Sequence, residues 1–319
     1  MLSHNPSPPH QRRVIAMTGA TGFLGSHLTR HLVAAGHDVI VLKRSFSNTR
    51  RIADLLPSGC VAYDIDVHSL ATPFHAHQID CVLHCATDYG RRESTPAAII
   101  EANLLLPLQL LELAAEHRVP CFINTDTKLD KGINAYSLSK RQFREWLVTF
   151  ADATTAINVP LEHFYGPGDD CTKFVSAMID RMISPERSIA LTEGEQLRDF
   201  IHIDDVVEAF GLIIDRCVVE KRPPAPQTDG GLLSFEIGSG SPVTIRDFML
   251  MLRRLAERPD ITLAFGALPY RSNETMRSAA DIGMITTLGW RPRVGLEDGL
   301  RRTLEVQRRW RNEAQACVT

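Results

Sequence analysis

Tyr136-Ser137-Leu138-Ser139-Lys140 sets a phenol and an ammonium four residues apart, a spacing that puts both on one face of a helix. A cation beside a phenol favours the phenolate and lowers its pKa from about 10, so Tyr136 is a candidate proton donor or acceptor near neutrality. Thr125, in Ile123-Asn124-Thr125-Asp126-Thr127, offers a hydroxyl that would share a hydrogen bond with the same reacting oxygen. Asp126 either tunes that chemistry or caps the loop, since Asp is common where a strand gives way to a turn.

Near the other end of the chain stands Thr18-Gly19-Ala20-Thr21-Gly22-Phe23-Leu24-Gly25, directly after an apolar run and opening a helical pattern. In that context three glycines have separate tasks. Gly19 permits a tight turn, Gly22 lets backbone approach a pyrophosphate, and Gly25 lets helix and strand pack closely, with helix N–H groups aimed at the phosphates. Thr21, Phe23 and Leu24 complete the expected dinucleotide loop. The next strand ends Val41-Leu42-Lys43-Arg44-Ser45, two cations and a hydroxyl where an acidic residue would favour NAD. Lys43, Arg44 and Ser45 suit charge-assisted hydrogen bonds to a 2'-phosphate, so the expected cofactor is NADP(H). Asp64 and Ile65, after the third strand, are placed to flank the adenine.

These residues need a frame that brings loop ends together. Val14 to Met17, Val39 to Leu42, Val61 to Ile65, Cys81 to His84, Cys121 to Asn124 and Ala156 to Val159 are short apolar runs, as in strands buried on both faces. Helical spacing of apolar residues over Gly22 to Ala35, Ala97 to His117 and Asn134 to Ala151 fills the gaps. The alternation predicts an α/β fold, a doubly wound parallel Rossmann sheet with a smaller C-terminal α+β lobe. Residues 1–12 read as a flexible tail, 13–160 as the NADP-binding domain, and 161–319 mainly as a substrate lobe with segments returning to the first domain. Gly166 to Gly168, Pro223 to Pro226 and Gly230-Gly231 punctuate the second part.

The 319 residues carry 35 basic and 38 acidic side chains, a formal charge of -3, which argues against a general nucleic-acid binder. No run of about 18 consecutive apolar residues suggests a membrane span, and Met1 to Arg13 lacks an apolar signal core. A cytoplasmic protein is expected. The odd count of 7 cysteines without a Cys-x-x-Cys pair suits reduced thiols. His75, His77, Cys81, His84 and Cys85 fit known zinc spacings poorly, and no metal is expected.

Taken with the quoted motifs, Asn103, Tyr165-Gly166-Pro167-Gly168-Asp169-Asp170, Arg198-Asp199-Phe200-Ile201-His202-Ile203-Asp204-Asp205, Ile237-Gly238-Ser239-Gly240 and Leu288-Gly289-Trp290-Arg291-Pro292 resemble the extended short-chain dehydrogenase/reductases, in their nucleotide-sugar branch. Leu42-Lys43-Arg44-Ser45-Phe46-Ser47, Ala86-Thr87-Asp88-Tyr89-Gly90-Arg91 and Leu161-Glu162-His163-Phe164-Tyr165-Gly166 are similar to that branch's NADPH-dependent reductases of CDP-linked 4-keto-3,6-dideoxyhexoses. The resemblance implies catalysis by Thr125, Tyr136 and Lys140, with Ala86 against the cofactor. It puts Thr87, Asp126 and His163 at the sugar, and Arg198 and Arg271 at the diphosphate, where guanidinium geometry suits phosphate. His163 departs from the Asn usual before Tyr-Gly-Pro. Thr127 stands where dehydratases of the branch carry a Glu base, which argues against 4,6-dehydration. An epimerase and a non-catalytic NADP(H)-sensing protein are the rival readings, and a reductase of small aldehydes is a third. Apolar residues beyond one helix face, among them Leu104, Leu105, Leu108, Leu111, Phe143, Trp146 and Leu147, together with the resemblance imply a homodimer.

Overall fold

The computed structural model describes residues 12–56, 58–91, 94–219 and 231–316. The expected tail up to residue 11, Pro223 to Pro226, Gly230 and Cys317 lie outside the described residues. Arg12, the last residue assigned to that tail, is held to Asp38 through its Nε at 2.5 Å. The chain divides into two compact units: one runs to Pro160 and resumes over Ala209–Phe235, the other takes Leu161–Glu208 and continues from Glu236.

In the first unit strands and helices alternate: β1 (Val14–Thr18), α1 (Phe23–Ala34), β2 (Asp38–Lys43), β3 (Cys60–Asp64), α2 (Thr72–Ala76), β4 (Cys81–His84), α3 (Pro96–Ile100), α4 (Leu106–Glu116), β5 (Cys121–Thr127), α5 (Ala135–Thr149) and β6 (Thr155–Leu161). Ile15, Ala16, Met17, Val82 and Leu83 are wholly buried, which is why these strands read as continuous apolar runs rather than alternating ones. The sheet has seven strands in the order Leu233–Ser234, β6, β5, β4, β1, β2, β3. It is a parallel, Rossmann-like α/β sheet. Successive strands move outward from β1 in one direction and from β4 in the other. The loops leaving these two neighbours therefore diverge, opening a crevice at their carboxyl ends.

The α4 and α5 face is sealed by Val82, Phe122, Leu110, Leu111, Phe143 and Leu147. Between α3 and α4 the helix widens into a π turn at Glu101–Leu105, which turns Asn103 into the interior. By length and composition the whole run Pro96–Glu116 would span a membrane, with a mean hydropathy of 1.5 over its most apolar window. Here Leu110, Leu111 and Ala114 are spent on the sheet core. Asn134 and Ser137 form a reciprocal cap that starts α5 one residue before Tyr136.

The second unit has its own core, in which Phe200 stacks on Phe248 at 4.4 Å beside Ile179, Met182, Leu252 and Leu300. Asp199 accepts hydrogen bonds from Ser239 N at 2.7 Å, Gly240 N at 3.0 Å and Ala280 N at 3.1 Å. Asp205 accepts from Arg293 N and Val294 N, and its carbonyl accepts from Trp290 Nε1. These two carboxylates thus staple the Gly-Ser-Gly and Gly-Trp-Arg-Pro segments, satisfying backbone donors that would otherwise be buried unpaired.

Candidate active site

Gly19 leaves β1 at φ +70, and a side chain there would strike Ala86 N and Cys85 C at 2.6 Å, on the loop that leaves β4. A Cβ on Gly25 would lie 2.0 Å from Gly19 O. The turn therefore closes only with glycine at both positions, and it delivers the N-terminus of α1, which has no side-chain cap, to the crevice. Thr21 and Gly22 lie in the turn, while Phe23 and Leu24 are buried beneath it. These residues fit a dinucleotide: a close backbone approach and unpaired helix N–H groups are what a pyrophosphate needs.

At the end of β2 the geometry differs from the sequence expectation. Lys43 is bonded to Asp64, its register partner on β3, and is largely buried. Ser45 donates through N at 2.6 Å and Oγ at 2.8 Å to Asp66. Arg44 lies over the Phe46 ring at 4.7 Å. Of the three residues read as a phosphate site, two are committed to carboxylates, and only the Arg44 guanidinium has an aromatic neighbour instead. Asp64 is bound to Lys43, and Ile65 packs partly buried against the core.

Tyr136 and Lys140 share one face of α5 above the ends of β4 and β5. Lys140 is buried, and its Nζ has no hydrogen-bond partner among the described residues. An interior ammonium without an acceptor calls for one, and ribose hydroxyls of a dinucleotide are suitable acceptors. Burial lowers its pKa below the ordinary lysine value, Asp126 and Cys85 act in the opposite direction, and Arg144 lowers it further. Tyr136 behaves unlike the sequence expectation: burial holds the phenol well above the usual range, Tyr89 and Asp126 add to this, and only Thr127 and Arg91 oppose it. Tyr89 lies 5.1 Å from Tyr136, ring to ring.

Thr125 donates to the main-chain oxygen of His84 at 3.1 Å, so the hydroxyl expected to steady a carbonyl is spent on the neighbouring strand. Thr127, two residues further along β5, opposes the rise of the Tyr136 phenol and accepts from Leu129 N at 3.2 Å. Asp126 is not placed for a substrate. Its side chain is fully buried, and Oδ2 accepts from Arg144 Nη2 at 2.5 Å, Arg144 Nε at 2.6 Å and Asn158 at 2.8 Å. Its Oδ1 accepts from Thr127 N at 2.8 Å, and Asn124 extends the network to Asn158.

Sequence reasoning passed over Arg144 and Asn158, although Arg144 follows Lys140 by one helical turn and so had to share its face. It also passed over His84 as a site residue. Thr18 Oγ1 accepts from Cys85 N and Ala86 N at 3.2 Å, which leaves its proton for His84 Nδ1 at 2.8 Å and puts the imidazole proton on Nε2. Burial, then Lys140, drives the His84 pKa well down, so the ring is neutral. Asn103 clamps the backbone of Asp88, bonding both its N and O at 2.8 Å, and reaches Ser139 at 3.0 Å. This fixes the segment Ala86-Thr87-Asp88 relative to α5. Thr87 is half-buried there.

The second unit holds His163, Arg198 and Arg271. Arg198 is bonded to Glu274 and, through Nη1, to Leu197 O at 2.8 Å. Burial lowers its pKa, Glu274 and Glu162 oppose this, and Arg271 is near enough to lower it further. His163 is half-buried, with Nδ1 3.2 Å from Glu162, whose other oxygen accepts from Ser278 at 2.6 Å. Among the described residues no three His, Cys, Asp or Glu side chains are grouped to hold a metal, and His75, His77 and His117 line a separate cavity of about 530 Å³ at the amino ends of the strands.

A glycine turn at the reversal of a doubly wound sheet and a Tyr/Lys pair above it define a short-chain dehydrogenase/reductase. The chain belongs to the NAD dependent epimerase/dehydratase family, whose model matches residues 15–224. It is similar to CDP-abequose synthase of Salmonella typhimurium, at 30% identity over 305 residues, covering 92% of this chain and 98% of that protein. It is similar in structure to UDP-glucose 4-epimerase of Thermotoga maritima, solved with UDP-glucose, at a TM-score of 0.76 and 25% identity over 93% of this chain and 99% of the other. UDP-glucuronic acid 4-epimerase of Bacillus cereus, solved with UDP-glucuronic acid and NAD, shares the fold at a TM-score of 0.76 and 22% identity, with the same coverage.

Proposed function

We propose that this enzyme reduces the C4 ketone of a nucleotide-linked 4-keto-6-deoxy or 3,6-dideoxy hexose, CDP being the nucleotide, with NADPH as cofactor. The observation that carries the reading is the state of β5 at its carboxyl end. Its one carboxylate, Asp126, is buried against Arg144 and Asn158, and a hydroxyl follows it at Thr127. An elimination needs a base within reach of a carbon-bound proton, whereas a ketone reduction needs a proton donor at oxygen. Tyr136 is that donor. The upward displacement of its pKa keeps the phenol protonated until the carbonyl oxygen gains charge. The similarity to CDP-abequose synthase over nearly the whole chain supports the CDP-sugar class.

When bound, the cofactor would supply the hydride that a ketone reduction requires. Gly19, Gly22, Gly25 and the α1 N-terminus would hold its pyrophosphate, Ala86 would line it, and Lys140 would bind the ribose. Arg44 carries the preference for the 2'-phosphate. In the second unit Arg198 and Arg271 bind the substrate diphosphate and His163 contacts the sugar; in the first unit Thr87 contacts the sugar. As negative charge grows on the reacting oxygen, hydrogen bonds to it strengthen more than they did to the ketone, which is the condition for rate acceleration. A cytoplasmic homodimer fits the exposed apolar residues on α3 to α5.

One observation favours an NAD-dependent epimerase: Asp64 and Asp66 hold Lys43 and Ser45, leaving little positive charge at the end of β2. The test is to incubate the enzyme with NADPH and CDP-4-keto-3,6-dideoxyglucose and follow the sugar by NMR. A C4 alcohol formed with one equivalent of NADPH is expected. Interconversion of a UDP-sugar without net NADPH consumption, and no C4 alcohol, would replace this reading by the epimerase.

A further inference from the structure

We propose that Glu162, backed by Ser278, holds His163 in one tautomer and one orientation, so that its Nε2 accepts a hydrogen bond from a hydroxyl of the substrate sugar. The inference rests on the reading above for the sugar; the tautomer and its cause stand on the geometry alone.

Neighbouring residues on a strand point to opposite faces, so Glu162 and His163 would not meet if the chain stayed extended. They meet because it tightens between β6 and the short strand His163–Tyr165. Phe164 N donates to Glu162 O at 2.8 Å, a bond spanning two residues that closes a γ-type turn around His163. Glu162 N is tied to Ile237 O at 3.0 Å and His163 N to Asp199 O at 3.1 Å, so the backbone of the turn is fixed. The Glu162 side chain is 1% exposed, and each of its oxygens has a partner. Oε1 accepts from Ser278 Oγ at 2.6 Å, and Oε2 lies 3.2 Å from His163 Nδ1. The Phe200 ring stands edge-on to the imidazole at 5.7 Å.

A buried carboxylate has no proton to donate and must be given hydrogen bonds, so Nδ1 is the protonated nitrogen of His163. A neutral imidazole carries one ring proton, and with that proton on Nδ1 a lone pair is left at Nε2. Nε2 is not sealed among the buried polar atoms, has no hydrogen-bond partner among the described residues, and belongs to a side chain that is 35% exposed. Such a lone pair calls for a donor. In a nucleotide-linked sugar the hydroxyls donate, whereas the diphosphate oxygens only accept, so the ring is matched to the sugar and the guanidiniums to the phosphates. An asparagine would offer both a donor and an acceptor; this ring offers an acceptor alone. Glu162 and Ser278 are positioning residues that act through His163.

The tautomer is read on the wild-type protein by nitrogen NMR with labelled histidine, the His163 signals being identified by their loss in His163→Phe. At slightly alkaline pH Nδ1 should be the protonated nitrogen and Nε2 the bare one. A proton on Nε2 overturns the proposal whatever the substrate is. Binding is read by calorimetry with CDP-glucose against CDP, and with UDP-glucose against UDP. His163→Phe should weaken the nucleotide sugar by about 3- to 10-fold, the range for losing one neutral hydrogen bond, and the nucleoside diphosphate by less than about twofold. Glu162→Gln can turn an amide N–H towards Nδ1 and reverse the tautomer, so it should show the same selective loss with the imidazole still in place. Adding it to His163→Phe should cost no further affinity, because the two side chains act as one unit. An equal loss for sugar and diphosphate, or additive losses in the double variant, overturns the proposal. A selective loss seen with the UDP pair alone rejects the CDP assignment and still sustains this one.

Discussion

Lys140 and Arg144 stand one turn apart on the same face of α5, yet only Arg144 has a carboxylate bound to it. Asp126 takes two nitrogens of the guanidinium, Nη2 and Nε, at 2.5 and 2.6 Å, while Lys140 Nζ meets no hydrogen-bond acceptor among the described residues. One cation is thereby structural, and the other is the one proposed to hold the cofactor. The separation suits an arginine in the planar, two-pronged role and a lysine as a point charge.

Removing Arg144 leaves Asp126 buried without its counter-ion. Arg144→Met should destabilise the fold by about 3 to 5 kcal/mol, and adding Asp126→Asn should recover most of that loss. Urea unfolding of the two variants beside the wild type measures it. Equal stability of Arg144→Met and wild type would show the pair to be dispensable.

Tyr136→Phe deletes only the phenolic hydroxyl and leaves the ring against Tyr89. Turnover should fall by about 10² to 10⁴ with cofactor affinity within twofold of wild type, as expected for loss of a general acid. Retained activity within a factor of two removes Tyr136 from the reaction.

The pH dependence follows from opposite displacements. Burial raises the Tyr136 phenol and lowers the Lys140 ammonium, so as pH rises Lys140 loses its proton first. The alkaline limb of kcat/KM therefore belongs to Lys140, and its midpoint should lie below 10.5, the ordinary lysine value. Raising pH through that window removes the charge proposed to bind the ribose while the Tyr136 phenol keeps its proton. A rate that stays level up to pH 10.5 contradicts this order.

Cofactor preference should reside in Arg44. Arg44→Ala should raise KM for NADPH by about 10- to 100-fold with little change for NADH, the loss of a charge-assisted bond to phosphate. Lys43→Ala should weaken both cofactors alike, because it frees Asp64 and loosens the edge of the sheet. Equal kcat/KM for NADPH and NADH in the wild-type enzyme counts against the 2'-phosphate site.

Ile100 and Leu105 on one helical run, with Leu138 and Trp146 on α5, are 44 to 47% exposed. Apolar side chains gathered on adjacent helices are suited to burial against a second copy. Light scattering at micromolar concentration should give the mass of a dimer, and Trp146→Glu should shift it towards the monomer. A monomeric wild type rejects the interface.

Local properties were legible from the amino-acid order alone. Buried strands and amphipathic helices declare themselves by period, so the six strands from β1 to β6 and the helices α1, α4 and α5 were readable within a few residues. Gly19 and Gly25 were readable because a turn that admits no side chain is a property of the turn itself. Tyr136 and Lys140 were readable because four residues make about one helical turn. What each polar group binds was decided by the tertiary structure. Lys43 meets Asp64 because β2 and β3 are neighbours in register, and Asp126 meets Arg144 and Asn158 because α5 and β6 close over β5. Thr125 and Thr127 are equivalent by strand alternation and differ in what lies beside them, a β4 carbonyl for one and the Leu129 N–H for the other. Hydrogen-bond partners are selected by packing among segments distant in sequence, and a buried donor or acceptor must be satisfied by whatever that packing brings within reach.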